Sequence, residues 1–219
     1  EALVRWQNDK EMIYPDQFIP VLEKNGYVID VDNFIWNKVC ACIKMMEDKG
    51  IEPVPISVNV SRMHVYQEKF TENLKNMAGE YGIDPKYIPL EITESAFTKE
   101  EGSLFKKVQS LQGYGFKFSM DDFGSGYSSL GMLKSERVDE VKIDKTFVDD
   151  IATDKGKVLL GNVIRMINEL GIDMIAEGVE TKEQADFLKE NGCMYAQGYY
   201  YYKPMPIEEF AKLLENSAR

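Results

Sequence analysis

The sequence predicts an α/β fold with a parallel sheet, built as a TIM-like (β/α)8 barrel, and three observations predict it. Strand and helix patterns alternate seven times along the 219 residues, and parallel strands need helical crossovers between them. Residues 1–6 have the pattern of the second half of a strand, so the first strand of an eight-unit barrel is expected upstream. Polar and acidic residues recur where successive strands end. The alternative is an open doubly wound sheet, but such a sheet usually has a glycine-rich phosphate turn after its first strand, and none is present here.

Each element follows from a local pattern. β-Branched residues mark the strand at 54–60, and apolar residues at helical spacing, from Phe34 to Met46, mark the helix at 31–49. The predicted strands lie at 1–6, 54–60, 87–92, 116–120, 140–143, 173–176 and 195–201. The predicted helices lie at 15–25, 31–49, 68–81, 104–111, 128–134, 157–170 and 206–216. No linker or repeat interrupts them, so residues 1–219 are expected to form one domain, truncated at its N-terminal edge and cut from a larger multidomain protein.

Composition excludes several classes of function. The chain has 26 Lys and Arg against 37 Asp and Glu, a net charge of −11, so duplex nucleic acid is not an expected partner. No stretch is long and apolar enough to cross a bilayer. The cysteines, Cys40, Cys42 and Cys193, lack metal-ligand spacing and are expected to be reduced core thiols of a cytosolic domain. Because His64 is the one histidine, a zinc site of several histidines is excluded, and the chemistry falls to carboxylates.

Acidic and amide residues stand at the carboxyl ends of the predicted strands, and in a barrel these ends face one mouth, where enzymes of this fold place their chemistry. They are Glu1, Asn59, Glu91 with Glu94, Asp121 with Asp122, Asp144, Glu177 and Gln197, and the basic Lys142 stands beside Asp144 at the end of the fifth strand. Carboxylates so crowded would repel each other without cations. Their oxygen atoms suit Mg²⁺ or Mn²⁺, and two such ions can clamp the attacking and leaving oxygens of a phosphoryl group. Arg5 and Lys142 would add local positive charge, so an acidic protein can still bind a phosphodiester.

Taken singly, each of these features has a structural explanation. The segment from Asp121 to Gly124 would be a turn in most proteins, and Glu177 could simply end a strand. Lys142 could be a lysine whose stem packs along the surface. Six oxygen ligands at one mouth are harder to explain that way, because a structural loop does not need its acid at the same end of every strand; they are Glu1, Asn59, Glu91, Asp121, Asp122 and Glu177.

Seven strings match the signature of a known family, in its order and across nearly the whole chain. They are EALVRW at 1–6, SVNVS at 57–61, EITES at 91–95, DDFGSGYSSL at 121–130, VKID at 141–144, AEGVE at 176–180 and QGY at 197–199. On these strings the chain resembles an EAL domain, the cyclic-di-GMP-specific phosphodiesterase of bacteria. The resemblance implies an eight-unit barrel whose first strand is antiparallel and lies upstream of Glu1.

The resemblance also implies a role for each matching residue. Two divalent cations, Mg²⁺ or Mn²⁺, would be the cofactors, one held by Glu1, Asn59, Glu91 and Asp121 and the other by Asp121, Asp122 and Glu177. Lys142, Glu177 and Gln197 would be catalytic, with Lys142 favouring the hydroxide form of the attacking water and Gln197 helping to hold that water. Leu3, Arg5, Asp144 and Pro204 would contact the substrate, and Glu94 would anchor the loop after Asp122. The product would be the linear dinucleotide pGpG.

The chain departs from the family pattern at Ser125, where threonine is usual, and this change keeps the hydroxyl but removes a methyl group. Three single features have a structural interpretation. We expect Trp36 in the core, His64 on the surface, and residues 199–202 as a strand with one solvated face.

Two other functions stay open on the sequence. One is a module that binds cyclic-di-GMP without hydrolysing it, for which lost ligands at Asp121 or Glu177 would be expected, and both residues are intact. The other is an open-sheet phosphatase in which Asp121 is the nucleophile. The resemblance further implies a homodimer formed through the segment after Asp122, and a neighbouring sensory or diguanylate-cyclase domain in the full-length protein. The domain would be cytoplasmic, either free or on the inner side of a membrane-anchored protein.

Overall fold

The computed structural model describes residues 1–9, 11–93, 101–124, 133 and 138–217, apart from the side chains of 101–103 and 217. The chain divides into two compact units. The first comprises Glu1–Glu91, Ser103–Lys117 and Met205–Arg219, and the second comprises Ile92–Gly102 and Phe118–Pro204. Within the described ranges, none of the helices combines the length and the apolar character that a bilayer crossing requires.

Short strands alternate with helices along the chain. The strands are β1 (Trp6–Gln7), β2 (Met12–Ile13), β3 (Val58–Asn59), β4 (Leu90–Thr93), β5 (Phe118–Phe123), β6 (Glu140–Ile143), β7 (Asp173–Ala176) and β8 (Tyr195–Ala196). The helices are α1 (Pro15–Asn25), α2 (Val28–Asp48), α3 (Arg62–Val65), α4 (Phe70–Tyr81), α5 (Glu101–Gln112), α6 (Lys145–Asp149), α7 (Asp154–Glu169), α8 (Lys182–Glu190) and α9 (Ile207–Ser217). Turns of 3-10 helix lie at Pro85–Tyr87 and Asp150–Ala152.

The first unit contains a hairpin and a pair of parallel strands. Strands β1 and β2 are antiparallel, and β3 pairs parallel with the start of β4. Residues 1–6 do not form the continuous strand that the sequence predicts, since Ala2 makes an isolated parallel bridge with Val58 and the chain then turns into β1. The predicted strand at 54–60 is likewise limited to β3.

The helix predicted at 15–25 is confirmed as α1, because both of its ends carry strong signals. Pro15 occupies the first turn, where its missing N–H costs nothing, and Gly26 ends the helix with φ 81°, which glycine adopts without strain. Helix α2 follows at once and buries Trp36, Cys40 and Ile43. The prediction that Trp36 lies in the core is therefore confirmed.

The second unit contains strands that lie side by side in chain order, from the end of β4 through β5, β6 and β7 to β8. Strands β5 to β8 are parallel, with Met120 beside Val141 and Val141 beside Met174. The hydrophobic core of this unit includes Met120, Val141, Leu160, Ile164, Met174 and Leu188. The predicted strands at 140–143 and 173–176 are confirmed residue for residue as β6 and β7.

Helix α8 is an element that the apolar pattern does not predict, because Leu188 is its one buried apolar residue. Its signal is a capping box. The Thr181 hydroxyl accepts from the Gln184 N–H at 3.2 Å, and the Gln184 side-chain oxygen accepts from the Thr181 N–H at 3.0 Å. The predicted helix at 128–134 lies outside the described residues, apart from Leu133.

The strand predicted at 195–201 is wrong beyond Ala196. Strand β8 ends there and the chain turns, with the Gly198 carbonyl accepting from the N–H groups of Tyr201 at 3.0 Å and Tyr202 at 3.1 Å. Gly198 has φ 155°, and a Cβ at this position would lie 2.1 Å from the Val179 carbonyl oxygen. The close backbone approach therefore requires glycine and turns the chain, so the exposed tyrosines at 199–202 lie on a turn rather than on a strand.

The surface position predicted for His64 is also wrong, since only 1% of this residue is exposed. Its Nδ1 lies 3.2 Å from Asp32 Oδ2, and its ring stacks on Trp36 with the centroids 4.3 Å apart. A buried carboxylate on α2, distant in sequence, supplies the polar partner that lets an imidazole enter the core.

Cys40, Cys42 and Cys193 are buried and free, in agreement with their prediction as reduced core thiols. Burial raises the pKa of the Cys40 thiol to about 12 and also raises the pKa of Cys42 and of Cys193. Because the thiolate is the reactive form, we expect the native protein to resist a thiol-specific disulfide reagent at about pH 8, whereas the chain unfolded in guanidinium reacts at all its cysteines. The folded pKa of Cys40 lies above its ordinary value of 9.0, so its contribution to stability is present below that pH and is lost as the pH rises toward the folded value. Rapid labelling of the native cysteines at about pH 8 would contradict the expected resistance to the reagent.

Gly156 and Gly79 form a matched pair for a stability test. A Cβ at Gly156, in the first turn of α7, would lie 1.9 Å from the Asp150 carbonyl oxygen, so the backbone must shift. Gly79 is exposed in α4, and its Cβ would find the Tyr114 hydroxyl as its nearest neighbour at 3.9 Å. We expect Gly156→Ala to lower the free energy of unfolding by about 2 kcal/mol and Gly79→Ala to raise it by about 0.5–1 kcal/mol. Urea unfolding curves measure both changes, and effects of the same sign would contradict the argument.

Candidate functional site

The first unit brings Asn59 and Glu91 together at the carboxyl ends of β3 and β4, where they are partners in the parallel register. The Glu91 residue is 1% exposed. The bridge at Ala2, whose N–H donates to the Ser57 carbonyl at 2.8 Å, places Glu1 beside these strands. Asn59 Nδ2 donates to Glu1 Oε1 at 2.9 Å. Three predicted metal ligands therefore lie along one edge of this unit.

Arg5 and Leu3, predicted to contact substrate, also lie in the first unit. The Arg5 guanidinium donates to the Val4 carbonyl at 2.8 Å and lies 5.6 Å from the centre of the Tyr14 ring. Leu3 is 45% exposed. Arg5 lines an open groove of about 570 Å³ whose walls include the aromatic residues Trp6, Phe18, Tyr27 and Phe34. This groove combines a guanidinium with apolar ring faces.

The second unit places Lys142 among acidic side chains at the ends of β5, β6 and β7. The Lys142 side chain is 2% exposed, and its Nζ lies 2.7 Å from Glu177 Oε1 and 3.8 Å from Asp121 Oδ1. Gln197, just after β8, donates through Nε2 to the same Glu177 oxygen at 2.6 Å. A buried ammonium, two carboxylates and an amide therefore meet at one edge of this unit.

The backbone at Asp122 is strained, since this residue has φ 56° and is the non-glycine residue with positive φ among those the structure describes. The register between β5 and β6 shifts between Met120 and Phe123, and the Asp122 N–H donates to Asp121 Oδ1 at 3.0 Å. Such irregularities re-aim side chains and are frequent near functional sites. Here the irregularity falls on the adjacent acids that the sequence singles out.

Backbone hydrogen bonds and the close packing at Gly178 fix the segments that carry Glu177 and Gln197. The Gln197 N–H donates to the Ala176 carbonyl at 2.8 Å, and its carbonyl accepts from the Val179 N–H at 3.0 Å. A Cβ at Gly178, which has φ 67°, would lie 2.4 Å from the Lys145 side chain. Backbone bonds on both sides of Gln197 thus fix the direction from which its amide approaches Glu177.

The remaining predicted site residues have other surroundings. Asp144 caps helix α6, with Oδ1 accepting from the Thr146 N–H at 2.9 Å, so its carboxylate has a structural role as well. Pro204 is exposed at the end of the second unit. Glu94, predicted as a loop anchor, and Ser125 lie outside the described residues.

Carboxylate oxygens and one amide oxygen form the predicted ligand set, and these hard donors fit Mg²⁺ or Mn²⁺. Among the described residues, no three His, Cys, Asp or Glu side chains converge closely enough to hold a metal ion between them. In the second unit the ammonium of Lys142 occupies the space between Asp121 and Glu177. The donor chemistry of the predicted ligand set nevertheless fits a divalent cation.

Comparisons with known proteins identify related sequences and structures. The family model described as EAL domain matches residues 1–204. Among curated proteins, the chain is 35% identical to the oxygen sensor protein DosP of Escherichia coli (strain K12), over 95% of this chain and 26% of DosP. It is 31% identical to the bifunctional diguanylate cyclase/cyclic di-GMP phosphodiesterase MucR of Pseudomonas aeruginosa, over 95% of this chain and 31% of MucR. The chain thus spans about a quarter to a third of the length of these relatives.

Solved structures show the same similarity. The PaMucR phosphodiesterase in complex with c-di-GMP superposes with a TM-score of 0.90 at 30% identity, over 95% of this chain and 85% of that chain. The enzyme Bd1971, in its cAMP and cyclic-di-GMP bound form, superposes with a TM-score of 0.91 at 26% identity, over 97% of this chain and 59% of that chain. These matches confirm the fold class that the sequence predicts.

Proposed function

The chain belongs to the EAL domain family, and from this premise we propose that it is a metal-dependent phosphodiesterase that hydrolyses cyclic-di-GMP. The observation that carries the proposal is the buried Lys142 ammonium between Asp121 and Glu177, with Gln197 on the same Glu177 oxygen. A relative that matches over most of its solved chain is a phosphodiesterase in complex with c-di-GMP. The aromatic groove beside Arg5 supports a ligand that has both a phosphate and flat bases.

The ligand sets proposed for the two cations are those that the resemblance implies. Glu1, Asn59 and Glu91, with Asp121, would hold one ion, and Asp121, Asp122 and Glu177 would hold the other. When bound, the ions would supply positive charge to the phosphate oxygens and acidify a water molecule. The hydrogen bond from Asn59 Nδ2 to Glu1 supports this assignment, because it leaves the amide oxygen as the cation-binding atom of Asn59.

The protein side chains then have separate tasks in opening one phosphodiester. Lys142 would stabilise the hydroxide form of the attacking water by its charge, and Gln197 would orient Glu177 and that water. Arg5 would bind a substrate phosphate, while Leu3, Asp144 and Pro204 would contact the rest of the dinucleotide. The water oxygen bonds to phosphorus, the bond from phosphorus to the ribose 3′ oxygen breaks, and that oxygen takes up a proton. The product would be pGpG.

Regulation and assembly are proposed from the same premise. The relatives that the chain matches are longer proteins with sensor or cyclase functions in their names. We propose that a sensory or diguanylate-cyclase domain adjoins this domain in the full-length protein, that the domain itself is cytoplasmic, either free or on the inner side of a membrane-anchored protein, and that two copies pair through the segment after Asp122. Such pairing would couple the neighbouring domain to metal occupancy at Asp122.

The decisive experiment incubates the protein with cyclic-di-GMP and Mg²⁺ or Mn²⁺ and resolves the products by chromatography. The reaction is repeated with a chelator and with the variant Glu1→Ala. We expect pGpG only when metal and Glu1 are both present. Tight binding of cyclic-di-GMP without product would reject the phosphodiesterase in favour of a sensor, and a covalent phosphoaspartate detected by mass spectrometry would favour the phosphatase.

A further inference from the structure

A buried polar cluster in the first unit takes no part in the proposed chemistry. It consists of Asp32 and Trp36 on α2, with Ser61 and His64 on the segment that follows β3. Asp32 is 5% exposed, and His64 and Trp36 are each 1% exposed. Burying a carboxylate and an imidazole is costly unless both are well hydrogen-bonded. The hydrogen bonds of this cluster therefore identify the segment of chain that it stabilises.

One oxygen of Asp32 gathers the segment after β3. Asp32 Oδ2 accepts from the Ser61 N–H at 3.1 Å and from the Ser61 hydroxyl at 2.6 Å, and it lies 3.2 Å from His64 Nδ1. This carboxylate oxygen and the imidazole nitrogen are thus within hydrogen-bond distance of each other. Ser61 also caps α3, because its hydroxyl accepts from the His64 N–H at 3.2 Å.

Trp36 lies one helical turn after Asp32 and binds Asn59 itself. Its Nε1–H donates to the Asn59 carbonyl at 3.1 Å, and its ring stacks on His64 at an interplanar angle of 16°. The indole is therefore held by the same imidazole that binds Asp32. A donor and an acceptor one turn apart on α2 thus contact the chain immediately before and after Val60, the residue that follows Asn59.

The carboxyl end of β3 is consequently fixed at three successive residues. Trp36 binds the Asn59 carbonyl, the Glu91 carbonyl accepts from the Val60 N–H at 2.9 Å, and Asp32 binds the Ser61 N–H. These three contacts hold the chain after Asn59, and the Val58 N–H, which donates to the Pro89 carbonyl at 2.9 Å, holds the chain before it, so the side-chain torsions of Asn59 are what remains adjustable. These are constrained in turn by the bond from Asn59 Nδ2 to Glu1.

We propose that Asp32 and Trp36 are positioning residues that fix the end of β3 so that Asn59 presents its amide oxygen to the divalent cation. His64 and Ser61 complete the arrangement, His64 by bracing the Trp36 ring and Ser61 by receiving Asp32. The inference rests on the proposed function, because it requires a cation at Asn59. Removing a group that orients a metal ligand without touching the ion commonly weakens metal affinity by about 10–100-fold.

The test measures Mn²⁺ binding to the whole chain by calorimetry, without substrate, for Asp32→Asn and Trp36→Phe. Phenylalanine keeps the aromatic ring and removes the Nε1–H donor. We expect each variant to raise the dissociation constant for Mn²⁺ by about 10-fold or more. At saturating Mn²⁺, kcat for cyclic-di-GMP should return to within about threefold of the wild-type value. A loss of metal affinity with turnover restored at high Mn²⁺ is the signature of a positioning role.

Ile43→Ala is the matched control, because Ile43 is fully buried on the same helix and its side chain has no polar atom. This variant should be less stable, since it leaves a cavity, while its Mn²⁺ affinity stays at the wild-type value. The inference is overturned if Ile43→Ala weakens Mn²⁺ binding as much as the test variants, or if Trp36→Phe binds Mn²⁺ like the wild type. If Asp32→Asn does not fold, Trp36→Phe alone decides. If the wild-type protein binds Mn²⁺ but does not hydrolyse cyclic-di-GMP, the proposed function is rejected, and the Mn²⁺ affinities of the variants still decide the positioning role. If the wild-type protein binds no Mn²⁺, the proposed function and the positioning role are both rejected.

Discussion

Lys142→Met is expected to lower kcat for cyclic-di-GMP hydrolysis by about 10²–10⁴-fold, the usual size of a lost proton-transfer contribution. Methionine has a similar length and packs well in a buried position, but it carries no charge. The Lys142 Nζ lies 2.7 Å from Glu177 and 3.8 Å from Asp121, so its loss leaves two carboxylates without their shared cation. Water beside them would then lose the charge that favours hydroxide. Affinity for Mn²⁺ should be retained or should rise, because no ammonium competes for these oxygen atoms.

Initial rates at saturating Mn²⁺ and substrate, with Mn²⁺ binding measured separately, check this prediction. Lys182→Met is the control, because Lys182 is exposed on α8. Its ion pair with Asp186 is screened by solvent and contributes little to stability. This control should change kcat by less than about twofold. A Lys142→Met variant that loses Mn²⁺ affinity along with turnover would show that the lysine supports the structure of the site rather than the reaction.

Asp121→Asn is expected to lower turnover by about 10³-fold, because the proposal assigns this carboxylate to both cations and each ion contributes several kcal/mol. In contrast to Lys142→Met, this variant should also bind Mn²⁺ more weakly. Asparagine is nearly isosteric, so the irregular backbone between β5 and β6 should be preserved. The two variants thus separate the roles of the two residues: both lose activity, but only Asp121→Asn loses affinity for Mn²⁺.

Product formation by chromatography and Mn²⁺ binding by calorimetry measure the effect of Asp121→Asn, and circular dichroism confirms that the variant is folded. Asp186→Asn, on the exposed surface of α8, removes the same charge away from the site and should have wild-type activity. Turnover within about tenfold of the wild type in Asp121→Asn would remove the basis for a shared ligand at this position.

Helices and strands with clear local signals could be predicted from the sequence. Pro15 and Gly26 mark both ends of α1, β6 alternates charged and apolar residues (EVKI), and β7 has an apolar run after Asp173. The apolar pattern does not predict helix α8, because the N-terminus of this helix depends on the reciprocal hydrogen bonds of Thr181 and Gln184. The tyrosine run at 199–202 has strong strand propensity, but the contact of Gly198 with Val179 overrides it.

The candidate site follows the same division. The rule that strand ends carry functional residues correctly places Asn59 beside Glu91, because parallel register aligns the ends of β3 and β4. Burial of Lys142 between carboxylates depends on three strands at once, and the alternation of residues in β6 could only suggest its direction. Asp32 and His64 are far apart in sequence and come into contact only in the folded chain. No local sequence pattern around either residue predicts that contact.

His64 also gives the molecule a built-in spectroscopic reporter. Since the chain contains one histidine, the imidazole proton region of its NMR spectrum has a single residue to assign. The ring stacks on Trp36 at 4.3 Å, so its resonances carry a ring-current displacement that changes whenever the indole moves. Because that indole is bonded to the Asn59 carbonyl, events at the end of β3 can be followed in unlabelled protein by the position of one line.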